Sequence, residues 1–234
     1  MSQDLTAPAD WWTSAGGVGY PPEPWYLGGS LRVSAFRVPA GQLPAEVTAS
    51  VPADHEPVRI GGKVTVGAAF AHYTPGGVLQ YEELLVALAV RRGARIRTSI
   101  PLIWVTSERS QHGGRELWGI PKHRADFDRT TSGPNTETAM RWQGHRVASL
   151  SARDGAALLP GRRQLPLPTA QALDGQQFLA HNIAVGRVRR MRARWEFASS
   201  GPLGFLAGRT PLFSAAVTDA GILFGVDAQR FESR

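Results

Sequence analysis

The chain has 234 residues and no cysteine, with 42% hydrophobic and 19% charged residues and a formal net charge of +7. That balance suits one globular domain with a well-buried core, and it excludes a disordered chain, a disulfide scaffold and thiolate chemistry. No apolar run is long enough to cross a bilayer as a helix, and MSQDLTAPADWW lacks the basic end and apolar stretch of a secretory signal, so a cytoplasmic protein without a membrane partner is expected.

Residues 1–30, rich in Pro, Gly and Trp (PPEPWYLGG), read as an extended arm laid over a single domain of residues 31–234. Strands with alternating or wholly apolar faces are expected at 58–73, 79–91 and 94–106, then at 123–130, 138–152, 187–198 and 220–226. Turn signals separate several of them: PGG at 75–77, RRG at 91–93 and SGP at 132–134. Helices are few, at 40–48 and 171–181, with a short turn at 113–119. PGRRQLPLPT at 160–169 is a stiff connection. The fold class is mainly β (α+β): an antiparallel sheet closed or coned into a barrel, with few short helices.

The positive charge is almost entirely arginine. Of 26 basic residues only Lys63 and Lys122 are lysines. The densest group, Arg187 to Arg194, alternates from Arg190 onward with Met191, Ala193 and Trp195. That is the pattern of a strand with one wet face, so no nucleic-acid partner is expected. A lysine kept in so arginine-rich a chain points to a role arginine cannot fill, because lysine can lose its proton and act as a nucleophile.

Several chemistries lack their residues. There is no phosphate loop of Walker type, no GxGxxG after a strand and no GxSxG elbow. The six histidines show neither HxH nor HExxH spacing, so no metal site is expected. What stands out is GGRELWGIPKH, residues 113–123. Pro121 restrains Ile120 to an extended shape, so Lys122 leaves a stiff stem. Gly113, Gly114 and Gly119 would permit sharp turns around Leu117 and Trp118.

GRELWGIPK resembles the signature of the acetoacetate decarboxylase family, whose lysine after proline forms a Schiff base. Tyr81-Glu82-Glu83 matches a second family element, Tyr-x-Glu, at a spacing from Lys122 that also agrees. RWEFASSGPLGFLAGRTPLFS, followed by GILFG, is similar to the family's closing strands. The resemblance implies a Schiff-base lyase that decarboxylates a β-keto acid through Lys122, with no cofactor and with assembly into a homo-oligomer. It gives Glu83 a catalytic place beside the amine, and puts His123, Tyr81 and Trp118 against the substrate. The chemistry needs a neutral amine. A free lysine titrates near 10.4, so about one molecule in 2,500 is neutral at pH 7, and acetoacetate decarboxylase is itself the standard example of an amine activated against that handicap.

Three positions depart from the family pattern. Its second lysine is His123 here, where a return to lysine would be expected to lower the pH optimum. Its other carboxylate falls at Ala68, and its N-terminal arginine near Gly29, with Arg32 or Arg37 as substitutes. These changes open an aldol, dehydration or cyclisation step on a larger keto substrate as the alternative. A non-catalytic ligand-binding protein on the same scaffold is the third reading.

Overall fold

The computed structural model describes residues 10–232, and its framework is a series of long strands. The first four run as antiparallel neighbours: β1 (Trp25–Pro39), β2 (Lys63–Tyr73), β3 (Tyr81–Arg92) and β4 (Arg95–Val105). Helix α1 (Ala45–Ala49) lies in the β1–β2 connection. Helix α2 (Glu108–Trp118) follows β4 and returns the chain through β5 (Lys122–Arg124), which pairs parallel to β4. Strands β6 (Asp126–Ser132), β7 (Asn135–Trp142) and β8 (His145–Ala157) form an antiparallel flange.

The last strands close the ring. Strands β9 (Arg163–Pro166) and β10 (Thr169–Leu173) precede β11 (Gln176–Phe197) and β12 (Phe213–Glu232). Strand β11 is long enough to serve three partners along one edge, β10 and β9 with its first half and β8 with its second. Its other edge pairs with β12, which pairs with β1. The circuit ends where β10 meets β4 through one parallel pair, Thr169 with Thr98. There the buried Gln171 side chain replaces a ladder. Its Oε1 accepts from the Ile100 N–H (2.6 Å) and the Ser99 hydroxyl (2.7 Å), and its Nε2 donates to the Ile100 carbonyl (2.9 Å).

The two apolar faces of β2 and β3 have different uses. Val64, Val66, Ala68 and Phe70, with Leu84, Val86 and Leu88, pack outward with the flange residues Met140, Val147 and Leu150. The alternate residues, Ala69, Tyr73, Tyr81, Glu83, Leu85 and Ala87, face a cavity inside the ring. The antiparallel mainly-β ring with short helices is thus as expected.

Individual elements differ. Residues 171–181 are not helical: β10 and β11 form a hairpin across Asp174 and Gly175, both at positive φ (50° and 75°). Asp-Gly is the dipeptide a two-residue hairpin of this twist demands, and a helical spacing of apolar residues around it masked the signal. Gln143 and Gly144 (φ 52° and 80°) likewise split 138–152 into β7 and β8. The turn at 113–119 is the end of the longer α2. The strand β1 begins at Trp25, inside the stretch read as an arm, whose residues 1–9 lie outside the described residues. The connection at 160–169 contains β9.

Candidate active site

Helix α2 starts at Ser107, whose hydroxyl accepts from the Ser110 N–H (3.2 Å), and stops at Gly119, where φ is +61°. Past that reversal the Ile120 N–H bonds back to the Gly114 carbonyl (3.0 Å). The chain then enters β5 with Lys122 facing inward. Gly113 and Gly114 lie within the helix, so close approach and not turning explains them. A β-carbon on Gly113 would meet the Trp25 ring at 2.5 Å, and one on Gly114 would lie 2.7 Å from Cδ and Cε of Lys122. The helix thus leaves a slot for the lysine stem.

Lys122 is 4% exposed. Its ammonium has three donors, and three acceptors meet them: Ser110 Oγ at 2.9 Å, Glu83 Oε2 at 3.1 Å and Tyr81 Oη at 3.4 Å. The nitrogen also sits 5.2 Å from the centre of the Tyr81 ring. Glu83, equally buried, accepts a second hydrogen bond from the Tyr73 hydroxyl (3.1 Å). Burial first, and the Glu83 charge second, hold Tyr73 and Tyr81 well above the ordinary tyrosine range, so both remain phenols. Around this cluster is a cavity of about 280 Å3 whose walls are mainly apolar, among them Leu31, Val33, Leu85, Ile100, Ile222 and Phe224.

Lys122, Glu83, Tyr81 and Trp118 therefore line one cavity. Trp118 serves also as packing: its ring meets Trp25 and Phe224 edge-on at 4.8 and 4.6 Å, and its Nε1 donates to Glu23 (2.8 Å). His123 is not among the lining residues. Strand alternation turns it away from Lys122 and onto Trp142, with 5.4 Å between ring centres. Burial, and then Arg115, push its pKa below the usual histidine value, so the ring is neutral at pH 7. The substitutes for the family arginine also lie elsewhere. Arg32 pairs with Asp154 (2.8 Å) and Arg37 donates to the Ile60 carbonyl (3.0 Å). Ala68 is fully buried in the outer core, and its neighbour Ala69 faces the cavity.

Three residues at the site escaped the sequence reading: Tyr73 and Arg163 line the cavity, and Ser110 bonds Lys122. Tyr73 was legible in principle: Tyr73 and Tyr81 flank the PGG loop and pair directly across β2 and β3. Ser110 was hidden because the helix was begun at 113. Arg163 lay in a stretch read as a connection.

A ring of strands around an apolar cavity, with one buried amine among carboxylate and hydroxyl groups, is an enzyme-like ligand-binding barrel. The family described as Acetoacetate decarboxylase (ADC) matches residues 35–190, and the chain belongs to it. No curated protein matches the chain. Among solved structures it is similar to acetoacetate decarboxylase from Legionella pneumophila subsp. pneumophila str. Philadelphia 1, at 14% identity and TM-score 0.63 over 97% of this chain and 93% of that one. The enduracididine biosynthesis enzyme MppR, complexed with the condensation product of pyruvate and imidazole 4-carboxaldehyde, is similar at 17% identity and TM-score 0.59, over 91% and 90%. An acetoacetate decarboxylase-like enzyme from Sphingomonas wittichii RW1 is similar at 15% identity and TM-score 0.57, over 91% and 95%. These likenesses establish a shared fold.

Proposed function

We propose that the chain is a Schiff-base-forming lyase that acts on a keto acid through Lys122. The observation that carries this reading is the seating of Lys122, buried at an apolar cavity with Glu83, Tyr81 and Ser110 in hydrogen-bond reach. Lys122 must release a proton before its nitrogen can attack, and Glu83 is the carboxylate in position to take it. The neutral amine then adds to the carbonyl carbon. Its oxygen leaves as water after protonation, and the product is an iminium.

With a β-keto acid, the bond to the carboxylate carbon breaks, its electrons flow to the iminium nitrogen, and carbon dioxide departs from the resulting enamine. That step merges a cation and an anion into two neutral species, which an apolar cavity favours over water. Carbon protonation and hydrolysis return the ketone and the amine. Ser110 and the Tyr81 phenol are close enough to Nζ to relay protons to the leaving oxygen.

One observation favours the second reading, an aldol-type, dehydration or cyclisation step on a larger keto substrate. Arg32 is engaged by Asp154, so among the described residues no arginine is bonded at the Lys122 cluster to receive a carboxylate beside the carbonyl. The complex of MppR with a condensation product on a similar fold is in keeping with such chemistry.

The test is a borohydride trap with a panel of keto acids, read by peptide mass spectrometry. A reduced adduct on Lys122, absent from Lys122→Arg, is the expected result. No adduct from any ketone would leave a ligand-binding protein on this scaffold. Carbon dioxide release then separates decarboxylation from aldol-type chemistry.

A further inference from the structure

The charged residues that line the cavity are Lys122, Glu83 and Arg163. The first two satisfy each other at 3.1 Å. Arg163 has no acidic partner within ion-pair distance among the described residues, and its exposure marks the solvent end of the cavity. It opens β9, and alternation puts Leu165 and then Leu167 on the same face as Arg163; all three line the cavity. Leu165 is 46% exposed and Leu167 39%, unusual for leucines that border an apolar interior. Among the described residues, strand β9 is bonded along one edge, to β11. Opposite Arg163 in that ladder is Gly186, also a lining residue, which offers no side chain to cover the arginine stem.

A cavity with an amine at its buried end, apolar walls and an unpaired guanidinium at its mouth has a definite complement. We propose that Arg163 recognises the anionic end of the substrate, a keto acid whose carboxylate is separated from the reacting carbonyl by an apolar body. The carbonyl end rests on the Schiff-base reading above; the anion site does not. At about 30 Å3 for a water-sized group, 280 Å3 holds roughly nine such groups, enough for a body of several carbons. Guanidinium and carboxylate form a bidentate, charge-assisted pair that an alcohol or ketone cannot reproduce.

The experiment uses two probes of equal length, 7-oxooctanoate and 2-octanone, with wild type, Arg163→Ala and Arg163→Gln. Binding is followed by the intrinsic fluorescence of Trp25 and Trp118, which line the cavity, and covalent capture by the borohydride trap. Both substitutions should weaken 7-oxooctanoate by about tenfold or more, leave 2-octanone within twofold, and remove the salt dependence that only the acid shows. Equal effects on both probes, or none on either, would overturn the assignment of Arg163. If neither probe is trapped while the acid still depends on Arg163 for binding, the anion site stands and the Schiff base falls. If both are trapped without that dependence, the reverse holds.

Discussion

Gly114→Ala separates the seating of the lysine from the stability of the fold. The new β-carbon would lie 2.7 Å from Cδ and Cε of Lys122 and 3.3 Å from Cγ. Carbon atoms rest at about 3.5–4.0 Å, so the stem must withdraw by about 1 Å. The helix cannot yield easily, because the Ile120 N–H is bonded to the Gly114 carbonyl at 3.0 Å. Overpacking of this kind costs about 1–3 kcal/mol, and alanine's better helix propensity returns about 1 kcal/mol. The net loss is about 0–2 kcal/mol, which lowers Tm by less than about 8 °C in a chain of this size. Reactivity responds differently. The amine is held by hydrogen bonds of 2.9, 3.1 and 3.4 Å, and a displacement near 1 Å costs a reaction about 100-fold. Adduct formation in the borohydride trap should therefore slow by about two orders of magnitude while the thermal melt stays cooperative. A folded Gly114→Ala protein that traps ketone at the wild-type rate would refute the idea that this glycine exists to seat the amine.

Lys122→Met takes the cation from the buried Glu83 carboxylate and leaves it hydroxyl partners such as Tyr73, and breaking a buried pair this way costs about 3–5 kcal/mol. Urea unfolding should show that loss and show most of it restored in Lys122→Met/Glu83→Gln; a single variant as stable as wild type would contradict the pairing. His123→Lys should leave the pH profile of trapping in place, contrary to the shift the family pattern suggests, because residue 123 faces Trp142 and not the amine. A movement of the profile by about a full unit, the span of one tenfold change in proton binding, would count against that geometry. His123 should act on stability instead. Its folded pKa is depressed by burial and then by Arg115, so the unfolded chain takes up the proton first. Its contribution is complete above the unfolded value of about 6.5 and is lost as pH falls below it, and His123→Gln should flatten that part of the stability curve. Gln171→Leu leaves the Ile100 N–H and carbonyl unpaired at the ring seam, at about 1–3 kcal/mol each. Hydrogen exchange at residues 98–100 should accelerate, and unchanged protection there would show that the side chain does not seal the ring.

Strands β2, β3 and β4 were legible because their periodicity is local. VRIGGKVTVGAAFAHY and LQYEELLVALAVR carry apolar residues on both faces, and both faces are in fact covered, one by the flange and one by the cavity. What sequence could not supply was the division of labour between those faces. Ala68 and Ala69 are chemically identical, yet one packs against the outer core and the other borders the cavity. The misread helix at 171–181 had its own signal in Asp174-Gly175. The seam between β10 and β4 had none, since a glutamine side chain does the work of a ladder between strands about 70 residues apart.

The lysine count illustrates how composition and motif differ in force. Scarcity of lysine singled out Lys63 and Lys122 equally, and Lys63 is an exposed residue at the start of β2. The motif chose between them, and its chemistry now has a steric meaning. A guanidinium at position 122 would carry a rigid planar fork into a slot bounded by Gly114, where the acceptors come from α2 (Ser110) and β3 (Tyr81, Glu83) and converge on one nitrogen. At the cavity mouth the demand is reversed. A planar, permanently charged fork suits a carboxylate there, and the residue present is Arg163. The same two cations exchanged between those positions would lose the proposed nucleophile at one end and the proposed bidentate grip at the other. The distribution of lysine and arginine around this cavity is thus itself an argument for a substrate that presents a carbonyl inward and an anion outward.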